Sequence, residues 1–255
     1  MKIIVSVKQV PARDSALRIS SDGTQLDEGD LTYEMNEPDA YALEEALQLR
    51  DKLGGEVVVI SLGAQQTTQT IREALAKGAD RAIHVEVEAS SSLDSFATAQ
   101  LLAKAIEPEK PEMLLTGLQS DDLGFGQTGV ILAELLGYSH ATIVMEVEPQ
   151  GDSVRVKREL EDGWFQNVVL PLPAVLTIQS GIKKLRYATL MGIKKAKSKP
   201  IQSISAGVGD KLSGGSSIAR IYPPQRSKQT QILNGAPKEV AQQLVAKLRS
   251  EVRVL

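Results

Sequence analysis

The chain has 255 residues, 42% apolar and 24% charged, enough for one or two domains around a substantial buried core. A formal net charge of -3 gives no general attraction to nucleic acid or an anionic membrane, and 4% aromatic content argues against a protein that stacks on single-stranded bases. The absence of cysteine excludes disulfides, thiolate metal sites and cysteine nucleophiles, and neither of the two histidines, His84 and His140, has a ligand-like neighbour at helical spacing.

Residues 2–7 are an apolar run that predicts a strand. Residues 12–35 are polar and carry Gly23 and Gly29, the composition of a loop or short hairpin. Asn36-Glu37-Pro38-Asp39 opens a helix, with Asn36 placed to cap it and Pro38 in its first turn. Leu43, Ala46 and Leu47 form an i, i+3, i+4 stripe that Gly54-Gly55 stops. Residues 56–62, EVVVISL, are β-branched and apolar throughout, as a strand covered on both faces requires. A helix over 68–77 ends at Gly78, a strand follows over 82–87, and an Ala- and Leu-rich helix over 92–106 has Asp94 near its start, favourable to its dipole. A buried strand over 112–116 and a helix over 127–136 ending at Gly137 continue the pattern.

Strands separated by helices predict an α/β fold: a mostly parallel twisted sheet with right-handed crossovers and helices on both faces. Ligands of such sheets sit beyond the carboxyl ends of the strands, which points to residues 6–11, Leu62-Gly63 and 117–128. After about residue 140 strands dominate, over 142–147, 153–159, 166–170 and 174–178, with Asp162-Gly163 as a turn and Pro171 and Pro173 stiffening a link. Residues 183–199 are strongly basic. Residues 200–235 lack periodicity, carry Gly207, Gly209, Gly214, Gly215, Pro223 and Pro224, and read as an extended arm before a final amphipathic helix over 237–254. This divides the chain into a core (1–182), a basic recognition segment (183–199) and a C-terminal arm and helix (200–255).

The segment GLQSDDLGFGQT, residues 117–128, follows a strand and precedes a helix. Its glycines permit close backbone approach, and a helix N-terminus offers N–H groups to a phosphate. It is neither a Walker A loop nor a G-x-G-x-x-G fingerprint, so a turn that merely feeds a helix answers to the same composition. Asp121-Asp122 has no partnering histidine or metal cluster and fits a solvated loop, a turn or a ribose contact better than acid–base work. In RYATLMGIKKAKSK, residues 186–199, apolar side chains precede a run of lysines: a solvated basic helix end, or a docking loop that steers an acidic partner. No apolar stretch approaches the ~20 residues that span a bilayer. The opening MKIIVSVKQV is too short for a signal peptide, so a soluble protein of a prokaryotic cytoplasm is expected.

Several segments in order resemble the electron-transferring flavoprotein beta (small) subunit: IIVSVKQVP, MNEPDAYALEEALQL, EVVVISLG, IREALAKGADRAIHVE, the loop at 117–129, VKRELEDGWFQNVVLPLPAVLT and RYATLMGIKKAK. The resemblance covers nearly the whole chain. It implies an adenine-nucleotide alpha-hydrolase-like core whose C-terminal arm packs on an alpha subunit, and an electron carrier rather than an enzyme. In that family a redox-active FAD is held mainly by the alpha subunit and shared with the beta subunit, which binds AMP as a structural nucleotide. The matching nucleotide positions are Ser6, Asn36, Glu37, Pro38, Asp39, Leu62, Gly117, Gln119, Ser120, Asp121, Asp122, Leu123, Gly124, Phe125, Gly126, Gln127 and Thr128. The matching docking positions are Arg186, Tyr187, Leu190 as the anchor, Met191, Ile193, Lys194 and Lys195, the two lysines falling at the family's candidate methylation positions.

The implied partners are the alpha subunit, acyl-CoA or related dehydrogenases as donors (as in fatty acid oxidation), and a quinone-linked oxidoreductase as acceptor. Gly126 stands where many AMP-binding relatives have Asn, and its backbone N–H remains available. An electron-bifurcating group takes a second FAD in place of AMP, with NADH as donor. That group carries a loop resembling DGDTAQVGP, which SDDLGFGQTG does not match. A non-redox nucleotide-binding α/β module would account for the core and leave residues 183–255 and Leu190 without a role.

Overall fold

The computed structural model describes residues 1–87, 93–206, 215–224 and 230–254. The predicted helix start at Ser92, and Gly207, Gly209 and Gly214 of the predicted arm, lie outside the described residues. The chain forms two compact units, Met1–Ile221 and Tyr222–Leu255.

The first unit is built on a nine-stranded sheet ordered β11-β5-β4-β1-β6-β10-β7-β8-β9. Its centre is β1 (Lys2–Ser6), flanked in parallel by β4 (Glu56–Gly63) and β6 (Met113–Gly117). Beyond β4 lie β5 (Arg81–Glu86) and β11 (Ile201–Ser205), also parallel. Beyond β6 lie β10 (Ala174–Ile178) and β7 (Ser139–Gln150), parallel, and then β8 (Ser153–Glu159) and β9 (Phe165–Pro171), antiparallel. A separate antiparallel pair, β2 (Gln9–Pro11) with β3 (Tyr33–Met35), closes the segment between β1 and the first helix, and residues 12–32 between them form a long loop with one isolated bridge, Ile19 to Leu26.

The uniformly apolar strands are explained by two covered faces. Ile3, Val5, Val57, Val59, Met113 and Leu115 pack with α1 (Glu37–Leu53) and α2 (Thr68–Lys77) through Leu43, Leu47, Ile71 and Leu75. Ile4, Val58, Ile60 and Leu114 pack on the other face with α3 (Ser95–Ile106) and α4 (Thr128–Leu136) through Leu101, Leu102, Ile106 and Leu132. The fold is therefore the expected mostly parallel α/β sheet with helices on both faces.

Four details differ from the sequence reading. Strand β7 is longer than the predicted 142–147, because its first residues pair with β10 and its last with β8. Residues 201–205, placed in an arm without periodicity, form the edge strand β11 along β5. Asp94 is the N-cap of α3 itself, accepting from the Ala97 N–H at 2.8 Å. In the second unit α6 (Pro237–Lys247) gives way to a π-helical turn, Leu248–Val252, where one helix to residue 254 was expected.

From β1 the chain moves outward to β4 and β5, then crosses to β6 on the other side of β1. The carboxyl ends of β1 and β6 are thus a topological switch point, where a crevice opens in sheets of this kind. Leu75, 0% exposed beneath the sheet, is expected to cost roughly 2–5 kcal/mol on truncation to Ala. Leu53→Ala, at a side chain 49% exposed, is expected to stay within about 0.5 kcal/mol of wild type. Chemical denaturation of the two variants checks the pair.

Candidate functional site

The switch point is held by one carboxylate. Asp39, in the first turn of α1, accepts from the Lys8 N–H after β1 through Oδ2 at 2.8 Å, and from the Gly117 N–H at the end of β6 through Oδ1 at 2.8 Å. Burial pushes the Asp39 carboxyl up to about 7, against the downward pull of those two N–H groups, of Asn36 and of the Lys8 charge. Position 117 must be glycine for this: a Cβ there would lie 2.4 Å from Asp39 Oδ1 and 2.7 Å from Pro38 Cβ.

Asn36 occupies the N-cap position of α1, yet its side chain makes no capping bond. Its backbone N–H donates to the Lys8 carbonyl at 2.9 Å, its Nδ2 donates to the Gln119 carbonyl at 2.9 Å, and its Oδ1 accepts from the Asp121 N–H at 2.9 Å. The expected cap is therefore a tie between the head of α1 and the 118–127 loop. Charge completes the attachment. Lys8 Nζ donates to both oxygens of Asp122 at 2.7 Å and to Ser120 Oγ at 3.4 Å. Arg13 pairs with Glu37 and lies 3.6 Å from Asp121.

The remaining loop lies open. Gln119, Asp121, Asp122, Leu123, Phe125 and Gln127 are exposed. Gly124 and Gly126 take the left-handed conformation, with φ of 67° and 62°, turning the chain into α4. No side chain caps the first turn of α4, so its N–H groups are left to solvent or a ligand. That turn is pressed onto the sheet at Gly129, where a Cβ would come within 2.6 Å of Thr177 and 2.7 Å of Thr116 Oγ1. Ser6 and Leu62 are half-buried near the carboxyl ends of β1 and β4, and Thr128 is half-buried at the start of α4. Hydrogen bonds thus join Asn36 and Asp39 to Gly117, Gln119 and Asp121, while Glu37, Ser120 and Asp122 enter through the cations Lys8 and Arg13. Those cations were not among the candidate residues, although Lys8 lay inside the flagged 6–11 segment. His84 is a core residue, its Nε2 3.0 Å from the Gly63 carbonyl. Among the described residues no cluster of acidic or imidazole groups could hold a metal ion, and no helix is long and apolar enough to cross a membrane.

The second candidate region surrounds α5 (Leu190–Ala196). Thr189 caps this helix, accepting from the Gly192 N–H at 3.0 Å, and α5 lies directly on α2: a Cβ at Gly192 would meet the Ala76 carbonyl at 2.3 Å. Arg72 of α2 donates to the carbonyls of Ala196 and Lys199. On this base Tyr187 is 91% and Leu190 83% exposed, Met191 and Ile193 are exposed beside them, and Lys194 and Lys195 are exposed on the following turn. Arg186 turns the other way, its guanidinium on Glu44 and Asp51 of α1. Four large apolar side chains are thus exposed between Tyr187 and Ile193, three of them on a helix seated on α2.

The Asp39 carboxyl keeps its proton in the fold to about pH 7, against a reference value of 3.8. Between those values the folded chain binds the extra proton, so raising the pH removes stability with a slope of up to about 1.4 kcal/mol per pH unit. Below and above that window this group contributes no slope. Relative to Asp39→Asn, the wild-type chain is therefore expected to lose stability between about pH 4 and pH 7 and to hold a constant difference above. Denaturation midpoints of both proteins across this range check it, and a constant difference throughout would overturn it.

Comparison with known proteins agrees with this architecture. The family model described as "Electron transfer flavoprotein domain" matches residues 23–208. The electron transfer flavoprotein subunit beta of Methylophilus methylotrophus is 38% identical, over 96% of this chain and 97% of its own length. The subunit beta of Mus musculus is 38% identical over 100% of this chain and 99% of its own, and that of Dictyostelium discoideum is 35% identical over 77% and 78%. Sequence resemblance and fold converge: the chain belongs to the electron transfer flavoprotein family, among its beta subunits.

Proposed function

We propose that this chain binds AMP in the crevice at the switch point and, with an alpha subunit, forms a heterodimeric carrier that shares one FAD. The carrier accepts electrons from acyl-CoA or related dehydrogenases and passes them to a quinone-linked oxidoreductase. The observation that supports the reading is the attachment of the 118–127 loop to the head of α1 through Asn36, which ties Gln119 and Asp121, two of the positions implied by the family resemblance, to a third.

The donor set suits a nucleotide. The uncapped first turn of α4, the backbone at Gly126, and the hydroxyls of Ser6, Ser120 and Thr128 are phosphate and ribose donors. The acidic residues of the loop do not repel an anion outright, because Lys8 pairs with Asp122 and Arg13 with Glu37 and Asp121. FAD supplies the electron chemistry when bound; this chain's residues orient and shield it and need no acid–base step. The patch of Tyr187, Leu190, Met191 and Ile193, with Lys194 and Lys195 at its edge, fits an apolar anchor steered by charge toward an acidic dehydrogenase surface. Residues 200–255, beyond the contribution of β11 to the sheet, are assigned to packing on the alpha subunit.

Denaturing the purified heterodimer and quantifying the released nucleotides is expected to give one FAD and one AMP. Two FAD and no AMP would instead favour bifurcation with NADH as donor, and one FAD with no second nucleotide would empty the crevice of its assigned role. Leu190→Ala is expected to slow electron transfer from the dehydrogenase by on the order of tenfold, with normal FAD content. Unchanged transfer kinetics would remove the docking assignment.

A further inference from the structure

We propose that Glu44 and Glu45 of α1 are positioning residues for the docking patch: they grip the basic strap at 183–186 and so fix the direction in which Tyr187 and Leu190 leave the surface. The inference rests on the docking assignment made above for that patch.

Two consecutive carboxylates inside a packed helix are an expensive choice. The side chains of Glu44 and Glu45 are only 4% and 2% exposed, among core positions of α1 such as Leu43, Ala46 and Leu47. Burial at this level is tolerated only with a cationic or hydrogen-bonding partner. The cations come from the strap, while within α1 the Gln48 amide Nε2 also donates to Glu44 Oε1 at 2.7 Å. Glu44 Oε2 accepts from the Arg186 backbone N–H at 3.2 Å and from Arg186 Nε at 2.8 Å, and its Oε1 accepts from Nη2 at 3.2 Å. It therefore fixes the main chain and the side chain of the residue just before Tyr187. Asp51 holds the same guanidinium at 3.2 Å. Glu45 pairs with Lys183 Nζ at 3.5 Å, without a shorter hydrogen bond; burial pushes its carboxyl up and the lysine draws it back. Adjacent helical residues point in different directions, so the two acids seize the strap at two separate points.

Apolar residues of the strap face the core at the same time. Ile182, Leu185 and Ala188 pack against the cluster beneath α1 and α2, at a spacing that alternates with Lys183 and Arg186. On the far side Thr189 caps α5, and Gly192 and Arg72 seat that helix on α2. Tyr187 thus lies between two fixed ends, Arg186 on α1 and Thr189 on α2's neighbour α5, and Leu190 opens the helix directly after. A patch ordered before encounter loses less freedom on docking, and removing a grip should weaken docking without touching the flavin or the nucleotide crevice.

The test uses the reconstituted heterodimer with a dehydrogenase as donor, comparing Glu44→Gln, Glu45→Gln, Arg186→Gln, the Glu44→Gln/Arg186→Gln double variant, and Leu190→Ala. The expected result for Glu44→Gln is an apparent KM for the heterodimer raised on the order of tenfold, with kcat changed less than about twofold. FAD content and reduction by dithionite should match wild type. Because Glu44 and Arg186 act as one unit, the double variant should be no worse than the poorer single variant. An unchanged KM in Glu44→Gln beside a raised KM in Leu190→Ala would overturn the positioning role and leave docking intact. No effect of Leu190→Ala would instead remove the docking assignment. A fall in kcat together with loss of FAD would mark Glu44 as merely structural and also overturn the proposal. Should Glu44→Gln fail to assemble, Glu45→Gln and Arg186→Gln carry the same KM comparison, and a wild-type KM in both would overturn it.

Discussion

The structure turns on the Asp39 carboxylate, which bonds the backbone at the ends of two strands that are neighbours in the sheet and distant in sequence. A parallel sheet leaves its strand ends with unpaired N–H groups at the point where the connections diverge. An acid with both oxygens engaged satisfies two of them and pins the head of α1 over the opening. The cost is a carboxylate buried nine-tenths or more, visible in its raised pKa. That cost fixes the position of Asn36 three residues earlier, and through Asn36 the path of the 118–127 loop.

Helix α1 is accordingly more than a crossover. Its first turn shapes the crevice, its apolar stripe fills the core under β1, β4 and β6, and its middle acids receive the strap that leads to α5. Crevice and patch are held by one rigid element, so the sheet, the loop and the strap share a single reference frame. Such an arrangement suits a carrier whose task is to present groups at fixed distances.

What was legible in the sequence was whatever depended on short-range pattern. EVVVISL has to be a strand buried on both faces, Gly54 and Gly78 have to end helices, and the glycines of 117–128 mark a loop of special backbone. What was hidden depended on partners far along the chain. Asn36 looks like a cap in isolation, and only the arrival of Gln119 and Asp121 gives its amide a better use. Lys8 and Arg13 acquire meaning from carboxylates more than a hundred residues away in the case of Asp121 and Asp122. Glu44 and Glu45 find their cations in Lys183 and Arg186, far along the chain. Strand β11 escaped because an edge strand buries little: Ile201 and Ile204 lie three residues apart, pack in different clusters and set no period of two.

The same reasoning explains how an acidic loop could line the proposed nucleotide site. Lys8 and Arg13 are drawn to Asp122, Asp121 and Glu37, so two cations offset much of the charge of three carboxylates, while no side chain caps the positive end of α4. A loop of glycines and hydroxyls alone would bind phosphate but would have nothing to hold its own path. A loop fastened only by lysines would attract every anion in reach. Pairing the fastening charges with each other separates the two tasks: ion pairs set where the loop runs, and in the proposed site neutral backbone dipoles would decide what it receives.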